Sequence, residues 1–251
     1  MSIELEKLKI LVVDDQSLVR TLVSQSLQTM GIRAEHISQA PDGSTAMRTL
    51  DMRMVDLVLC DVEMKPMNGL DLLKELRCGH TANASNLPFI ILSGHADRSN
   101  VTVAVKLHAD GFVVKPPKPA DVEKAITQAL KRARPEVDPF SYYSVDTGTD
   151  YDKKVFRRLF EPRAEDLPAV QGKIVTIHSA RPGSVLAADL RSKSGHLLLP
   201  QGASISANQL AVLRNFSDRY GVHQLEIEAV DQTPVAPAAD AAATEPSGQQ
   251  D

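Results

Sequence analysis

The chain predicts an α/β protein, an open, doubly wound parallel sheet followed by a smaller α+β part. Short, nearly continuous apolar runs at residues 9–13, 55–60, 87–92 and 111–114 alternate with segments of helical spacing. Runs of that length, rich in β-branched residues, suit strands buried on both faces, and their alternation with helices makes parallel βαβ units. Each run also ends at a polar residue or pair: Asp14 and Asp15, Asp61, Ser93 and Lys115. In open parallel sheets the chemistry lies beyond the carboxyl ends of the strands, at a topological switch point, so all five polar residues belong to one end of the sheet.

Three carboxylates and one ammonium at one place have a definite physical logic. Asp14, Asp15 and Asp61 crowded together would repel one another unless a cation sits among them. A hard divalent ion with oxygen ligands, Mg²⁺ in most cells, relieves that repulsion and keeps water positions open for phosphate oxygens. Lys115 adds a point charge for an incoming phosphoryl group, and the Ser93 hydroxyl can donate to the same oxygens. Taken singly, each piece has a structural alternative. An acidic pair after a strand suits a helix N-terminus, Asp61 ahead of a Pro-Gly loop suits a turn, and Ser93-Gly94 suits a turn as well. Their joint occurrence in order favours the site.

In these residues the chain resembles the receiver domain of bacterial response regulators over residues 8–133, and the resemblance implies a flavodoxin-like fold, a doubly wound five-stranded parallel sheet. The matched pieces are Asp14-Asp15, the stretch Asp61-Val62-Glu63-Met64-Lys65-Pro66-Met67-Asn68-Gly69, Ser93-Gly94 and Lys115-Pro116, with Phe112 at the aromatic switch position. The usual Met-Pro-x-Met order is changed, because Pro66 stands one place later. The resemblance implies phosphoryl transfer from a histidine kinase or phosphotransfer protein to Asp61 as nucleophile. It also implies Mg²⁺ held by Asp14, Asp15, Asp61 and the backbone carbonyl of Glu63, with Lys115 and Ser93 assisting. Ser93 and Phe112 would then switch the face spanning residues 97–133. Glu63 and His95 sit where the family tunes loss of the phosphoryl group, and Lys115-Pro116 resembles a bond the family holds in cis.

Past residue 133 the texture changes. Six of the ten aromatics fall within residues 136–170: Phe140, Tyr142, Tyr143, Tyr151, Phe156 and Phe160. A flexible linker is poor in aromatics, so this segment is expected to dock on something. Residues 151–160 place Val155, Phe156, Leu159 and Phe160 on one helical stripe, and a short helix packed on its own protein is preferred to a membrane-surface or partner helix.

Residues 171–230 predict a small α+β output domain. Strands are expected at 173–178, 184–190, 196–199 and 222–228, a turn at 192–195, and a helix started by the capping-box spacing of Ser206 and Gln209. Residues 181–190 and 195–202 are similar to a module that accompanies HD-GYP-type cyclic-dinucleotide phosphodiesterases. None of the seven histidines precedes an aspartate, so the phosphodiesterase itself is not expected. Residues 231–251, rich in Ala and Pro, predict a disordered tail.

Composition bounds the rest. Two cysteines without a CxxC suit a reducing, cytoplasmic setting, and Cys60 reads as core filler. Residues 1–7 hold no apolar signal core, and no window suits a transmembrane span. A net charge of −4 argues against non-specific nucleic-acid binding. With six Lys and Arg against four Asp and Glu in residues 171–230, and one convincing helix, a DNA-binding output ranks low. The domains expected are 1–133 receiver, 134–170 aromatic linker with a short helix, 171–230 output and 231–251 tail. The preferred function is a non-enzymatic phosphoacceptor, with at most intrinsic autophosphorylation and autodephosphorylation, that signals by protein contact as a homodimer or through a downstream protein. The alternative is an enzymatic or cyclic-dinucleotide-linked output.

Overall fold

A computed structural model describes residues 5–94, 98–133, 137–157 and 172–229. Strands β1 (Ile10–Val13), β2 (Ile37–Ala40), β3 (Leu57–Asp61), β4 (Phe89–Ser93) and β5 (Gly111–Val114) form one parallel sheet in the order β2-β1-β3-β4-β5. The chain steps from β1 out to β2, then crosses back to β3, so the switch point lies between β1 and β3. Helices α1 (Ser17–Thr29), α2 (Gly43–Met52), α3 (Gly69–Arg77), α4 (Arg98–Lys106) and α5 (Pro119–Lys131) alternate with the strands.

Local chemistry sets the helix starts. The Asp42 carboxylate accepts the Thr45 amide at the head of α2, and Asn68 with Asp71 forms a reciprocal capping box at the head of α3. Proline opens α5, where a missing N–H costs nothing.

The pleat explains the continuous apolar runs. Alternate residues of each strand point to opposite faces. Ile10, Val12, Leu57, Leu59, Ile90 and Leu92 pack beneath α1 and α5, against Val19, Val23, Leu27, Val122 and Ile126. Leu11, Val13, Val58, Cys60, Phe89 and Ile91 face the other way, toward α2, α3 and α4. That second core does not stop at the helices, because it continues without a break into Phe140, Tyr143, Phe156, Ile177, Leu210 and Leu225.

The segment after α5 lies across α3. It contains a short 3₁₀ turn, Pro139–Tyr142, and a single helical turn, α6 (Asp150–Asp152), that widens into a π-type turn over Lys153–Arg157. Phe156 is buried and Val155 half-buried, while 158–160 and the tail expected to be disordered lie outside the described residues. Beyond it, β6 (Gly172–Thr176) pairs antiparallel with β9 (Gln224–Glu228), and β7 (Leu190–Arg191) pairs with β8 (Leu197–Leu199). Helix α7 (Ala207–Asn215) starts at the Ser206–Gln209 capping box and is followed by α8 (Ser217–Tyr220).

Two strand expectations shift. Residues 184–190 are not one strand: Val185 and Leu186 make isolated bridges, and regular pairing begins only at Leu190. The interruption falls at Ala187–Asp189, where Asp189 Oδ1 accepts the Gln201 amide. The strand expected at 173–178 ends at Thr176, whose carbonyl accepts the Ser179 and Ala180 amides and turns the chain away.

Candidate functional site

The carboxyl ends of β1 and β3 meet at the switch point. Asp14 and Asp15 follow β1, Asp61 ends β3, and one carboxylate oxygen from each lies within 4.8 Å of the others. Asp14 is fully buried and Asp61 nearly so, while Asp15 is exposed. Asp14 is aimed by its neighbours: Oδ1 accepts the Gln16 amide at 2.9 Å, and Arg20 Nη1 donates to the Asp14 carbonyl at 2.7 Å.

Lys115 reaches in from the end of β5, and the amide of Lys115 donates to the Ser93 carbonyl at 2.8 Å. Its Nζ lies 2.6 Å from Asp14 Oδ2 and 2.8 Å from Asp61 Oδ2. The Asp14 contact is an ion pair without hydrogen-bond alignment, so this buried oxygen keeps an unmet acceptor direction. Burial raises the Asp61 pKa first of all; Lys115 opposes that and the Asp14 charge adds to it. Burial alone would lower the Lys115 pKa, but its close contacts with the Asp14 and Asp61 carboxylates and their negative charge outweigh it and leave it raised. The ammonium therefore stays charged between two carboxylates.

Ser93 ends β4 beside this cluster and is half-buried. Glu63 is exposed, in the loop that leaves Asp61. Phe112 points outward from β5 with 40% of its surface exposed. His95 lies outside the described residues. Both Lys65-Pro66 and Lys115-Pro116 are cis. Cys60 is fully buried, and burial, followed by the Asp61 and Asp14 charges, pushes its thiol well up, so it stays protonated core filler.

The acceptor loop ends tightly. A side chain at Gly69 would collide with the Asp61 carbonyl oxygen, which ties the first residue of α3 to the backbone of Asp61 itself. From there, α3 carries four charged residues in nine, and all nine are buried. Sequence reasoning missed what surrounds them. Lys74 Nζ is 2.5 Å from Asp152 Oδ1 and 3.9 Å from the centre of the Phe156 ring. Glu75 accepts the Tyr151 hydroxyl at 2.6 Å and is hydrogen-bonded to His80, whose other ring nitrogen meets the Tyr143 hydroxyl at 2.7 Å. Burial, with Glu75 beside it, pushes the Tyr151 phenol upward and keeps it a neutral donor. Gln209, on α7, donates to the Cys78 carbonyl and to Tyr143. The excess of aromatics in residues 136–170 signalled docking; it did not say that α3 is the surface.

Among the described residues, no helix is long and apolar enough to cross a membrane. The family profile of the response regulator receiver domain matches residues 10–127. Chemotaxis protein CheY-3 of Vibrio cholerae is 31% identical over 127 residues, which cover 51% of this chain and 95% of that protein. The probable transcriptional regulator ycf27 of Cyanophora paradoxa is 33% identical over 129 residues, 51% of each chain. A crystal structure of Vibrio cholerae chemotaxis protein CheY4 covers 49% of this chain and 98% of its own, at 26% identity and a TM-score of 0.44. The family profile ends at residue 127, and none of these matches lends support to the HD-GYP-type resemblance of the C-terminal part. With 95% of Chemotaxis protein CheY-3 matched at 31% identity, the chain belongs to the response regulator receiver family.

Proposed function

We propose that the protein accepts a phosphoryl group on Asp61 from the phosphohistidine of a histidine kinase or phosphotransfer protein, and signals through protein contacts of its C-terminal part. The observation that carries this is the convergence of Asp14, Asp15 and Asp61 with Lys115 Nζ at 2.6 and 2.8 Å. An Asp61 carboxylate oxygen attacks phosphorus, the P–N bond breaks, and the histidine keeps the electron pair and takes up a proton. Little covalent work falls to the protein, which positions the acceptor and neutralises charge. Lys115, already bridging two carboxylates, is placed to follow the negative charge onto the phosphoryl oxygens, and Ser93, at the end of the neighbouring strand β4, would donate to them.

The donor set suits a hard divalent cation. Three carboxylates face one ammonium, and a buried Asp14 oxygen keeps an acceptor direction open. Asp14, Asp15, Asp61 and the Glu63 carbonyl would hold Mg²⁺, which when bound neutralises the charge that Lys115 alone leaves over.

Residues 1–133 form the receiver in this reading, 134–170 the aromatic linker and 171–230 the output, with a second copy of the chain or a downstream protein as its partner. The test is phosphorylation by acetyl phosphate with Mg²⁺, read by intact mass and peptide mapping beside Asp61→Asn. One added phosphoryl group on wild type, mapped to Asp61 and missing from the variant, is the expected result. Equal labelling of the variant would sink the assignment.

A further inference from the structure

The C-terminal part holds α3 at three levels. At its head, the Thr147 and Thr149 hydroxyls donate to Asp71 Oδ1 at 2.6 and 2.8 Å. Along its middle, Asp152 pairs with Lys74, and Tyr151 donates to Glu75. At its foot, Gln209 donates to the Cys78 carbonyl, and Asn208 Nδ2 donates to the Thr81 and Asn83 carbonyls at 2.8 and 2.7 Å. The space for Asn208 exists because Gly79, at φ +78°, carries no side chain.

Asp71 is the pivotal group. Its second oxygen, Oδ2, accepts the Asn68 amide, and Asn68 is the last residue of the loop that begins at Asp61. One buried carboxylate therefore joins the end of the acceptor loop to the Thr147–Thr149 turn. The loop itself has no slack at that end, since Gly69 sits against the Asp61 carbonyl and its amide donates to the Val62 carbonyl at 3.0 Å. Buried hydrogen-bonded charges tolerate displacement poorly, because any lost partner leaves a desolvated group.

We infer that α3 is an intramolecular interface through which the acceptor site and the C-terminal part control one another, with Asp71 bridging Asn68 to Thr147 and Thr149. This rests on the reading of Asp61 as phosphoacceptor. Linkage makes the effect reciprocal: if an occupant of Asp61 changes the docking at Thr147 and Thr149, that docking changes the occupant's affinity by the same factor.

The experiment uses the full chain, Mg²⁺ and beryllofluoride as the phosphoryl mimic, with amide hydrogen exchange and beryllofluoride affinity as readouts. Bound to wild type, the mimic is expected to change exchange across residues 145–152, with no change in Asp61→Ala. Combined Thr147→Val and Thr149→Val should shift beryllofluoride affinity by about fivefold or more. Thr147→Ser with Thr149→Ser, which keeps both hydroxyls, should return it. Exchange at 145–152 that stays constant while beryllofluoride occupies Asp61 would overturn the inference and leave the acceptor reading intact. So would wild-type affinity in the valine variant. Failure of wild type to bind the mimic at all would overturn both.

Discussion

The two faces of the receiver sheet are built from the same strands and end differently. Beneath α1 and α5 the core closes on itself: Val122, Ala125, Ile126 and Ala129 point inward from α5, and its remaining positions meet solvent or are half-buried. Leu18 and Leu22, on the outer side of α1, stay exposed. On the opposite face, α3 has no outer side. Its apolar residues pack on the sheet, and Asp71, Lys74 and Glu75, which would be a solvated stripe on an isolated receiver, are covered by residues 147–156. A charged helix face is thus either surface or interface, and only the partners supplied from far along the chain decide which.

That difference can be broken from either side. The largest effect is expected at the buried ion pair. Asp152→Ala leaves Lys74 desolvated and unpaired, and should lower unfolding free energy by about 3–5 kcal/mol in urea titration, whereas Glu123→Ala on the outer side of α5 should stay within about 0.5 kcal/mol. Replacing both partners, as Lys74→Met with Asp152→Leu, should recover most of the loss, because an apolar pair needs no compensating charge.

Phe156 provides a packing test of the same contrast. If the C-terminal segment belongs to the core, Phe156→Ala costs about 3–5 kcal/mol, comparable to the roughly 2–5 kcal/mol of Ile126→Ala on the closed face. A value near zero for Phe156 alone would separate the two faces.

The acceptor end gives a smaller, pH-dependent effect. A carboxyl whose folded pKa is raised is penalised when ionised in the folded state, and the penalty vanishes as pH falls below its unfolded value. Without divalent metal, Asp61→Asn should therefore be more stable than wild type at neutral pH. The gap should close as pH falls through the raised Asp61 pKa, read from urea midpoints at both pH values. Asp42 runs the other way. The Thr45 amide holds its pKa down, so its contribution is present above the unfolded pKa and is lost as pH falls through the folded one. Asp42→Ala should cost about 1 kcal/mol at neutral pH and less in acid.

The sheet and the acceptor end were legible in the chain because both are local. Strands β1, β3 and β4 are buried runs and β5 is a short apolar one, and Asp14, Asp15, Asp61, Ser93 and Lys115 follow directly from where those runs stop, whereas β2, with Ser38 and Gln39 at its centre and only Ala40 buried, has no apolar run to mark it. The Ser206–Gln209 capping box likewise announced α7. The pairing of β6 with β9 was not legible, since nothing in residues 172–176 names a partner about fifty positions away. Nor was the burial of α3: Lys74 meets Asp152 across a sequence separation of 78, and the i, i+4 pattern of α3 suits a half-exposed helix equally well. Residues 184–190 misled for a local reason, an apolar stretch broken by the turn that Asp189 stabilises.

The continuity of the α3 face with the C-terminal part is open to one direct measurement. All four tyrosines, Tyr142, Tyr143, Tyr151 and Tyr220, lie after the receiver, and the chain has no tryptophan. Tyrosine fluorescence thus reports the C-terminal part alone, while far-ultraviolet circular dichroism is weighted toward the helices of the receiver. A shared core requires the two signals to follow one urea transition, with the same midpoint and slope. A tyrosine transition completed while the receiver's dichroism is still native would contradict it, and would make the C-terminal part a separate domain resting on α3.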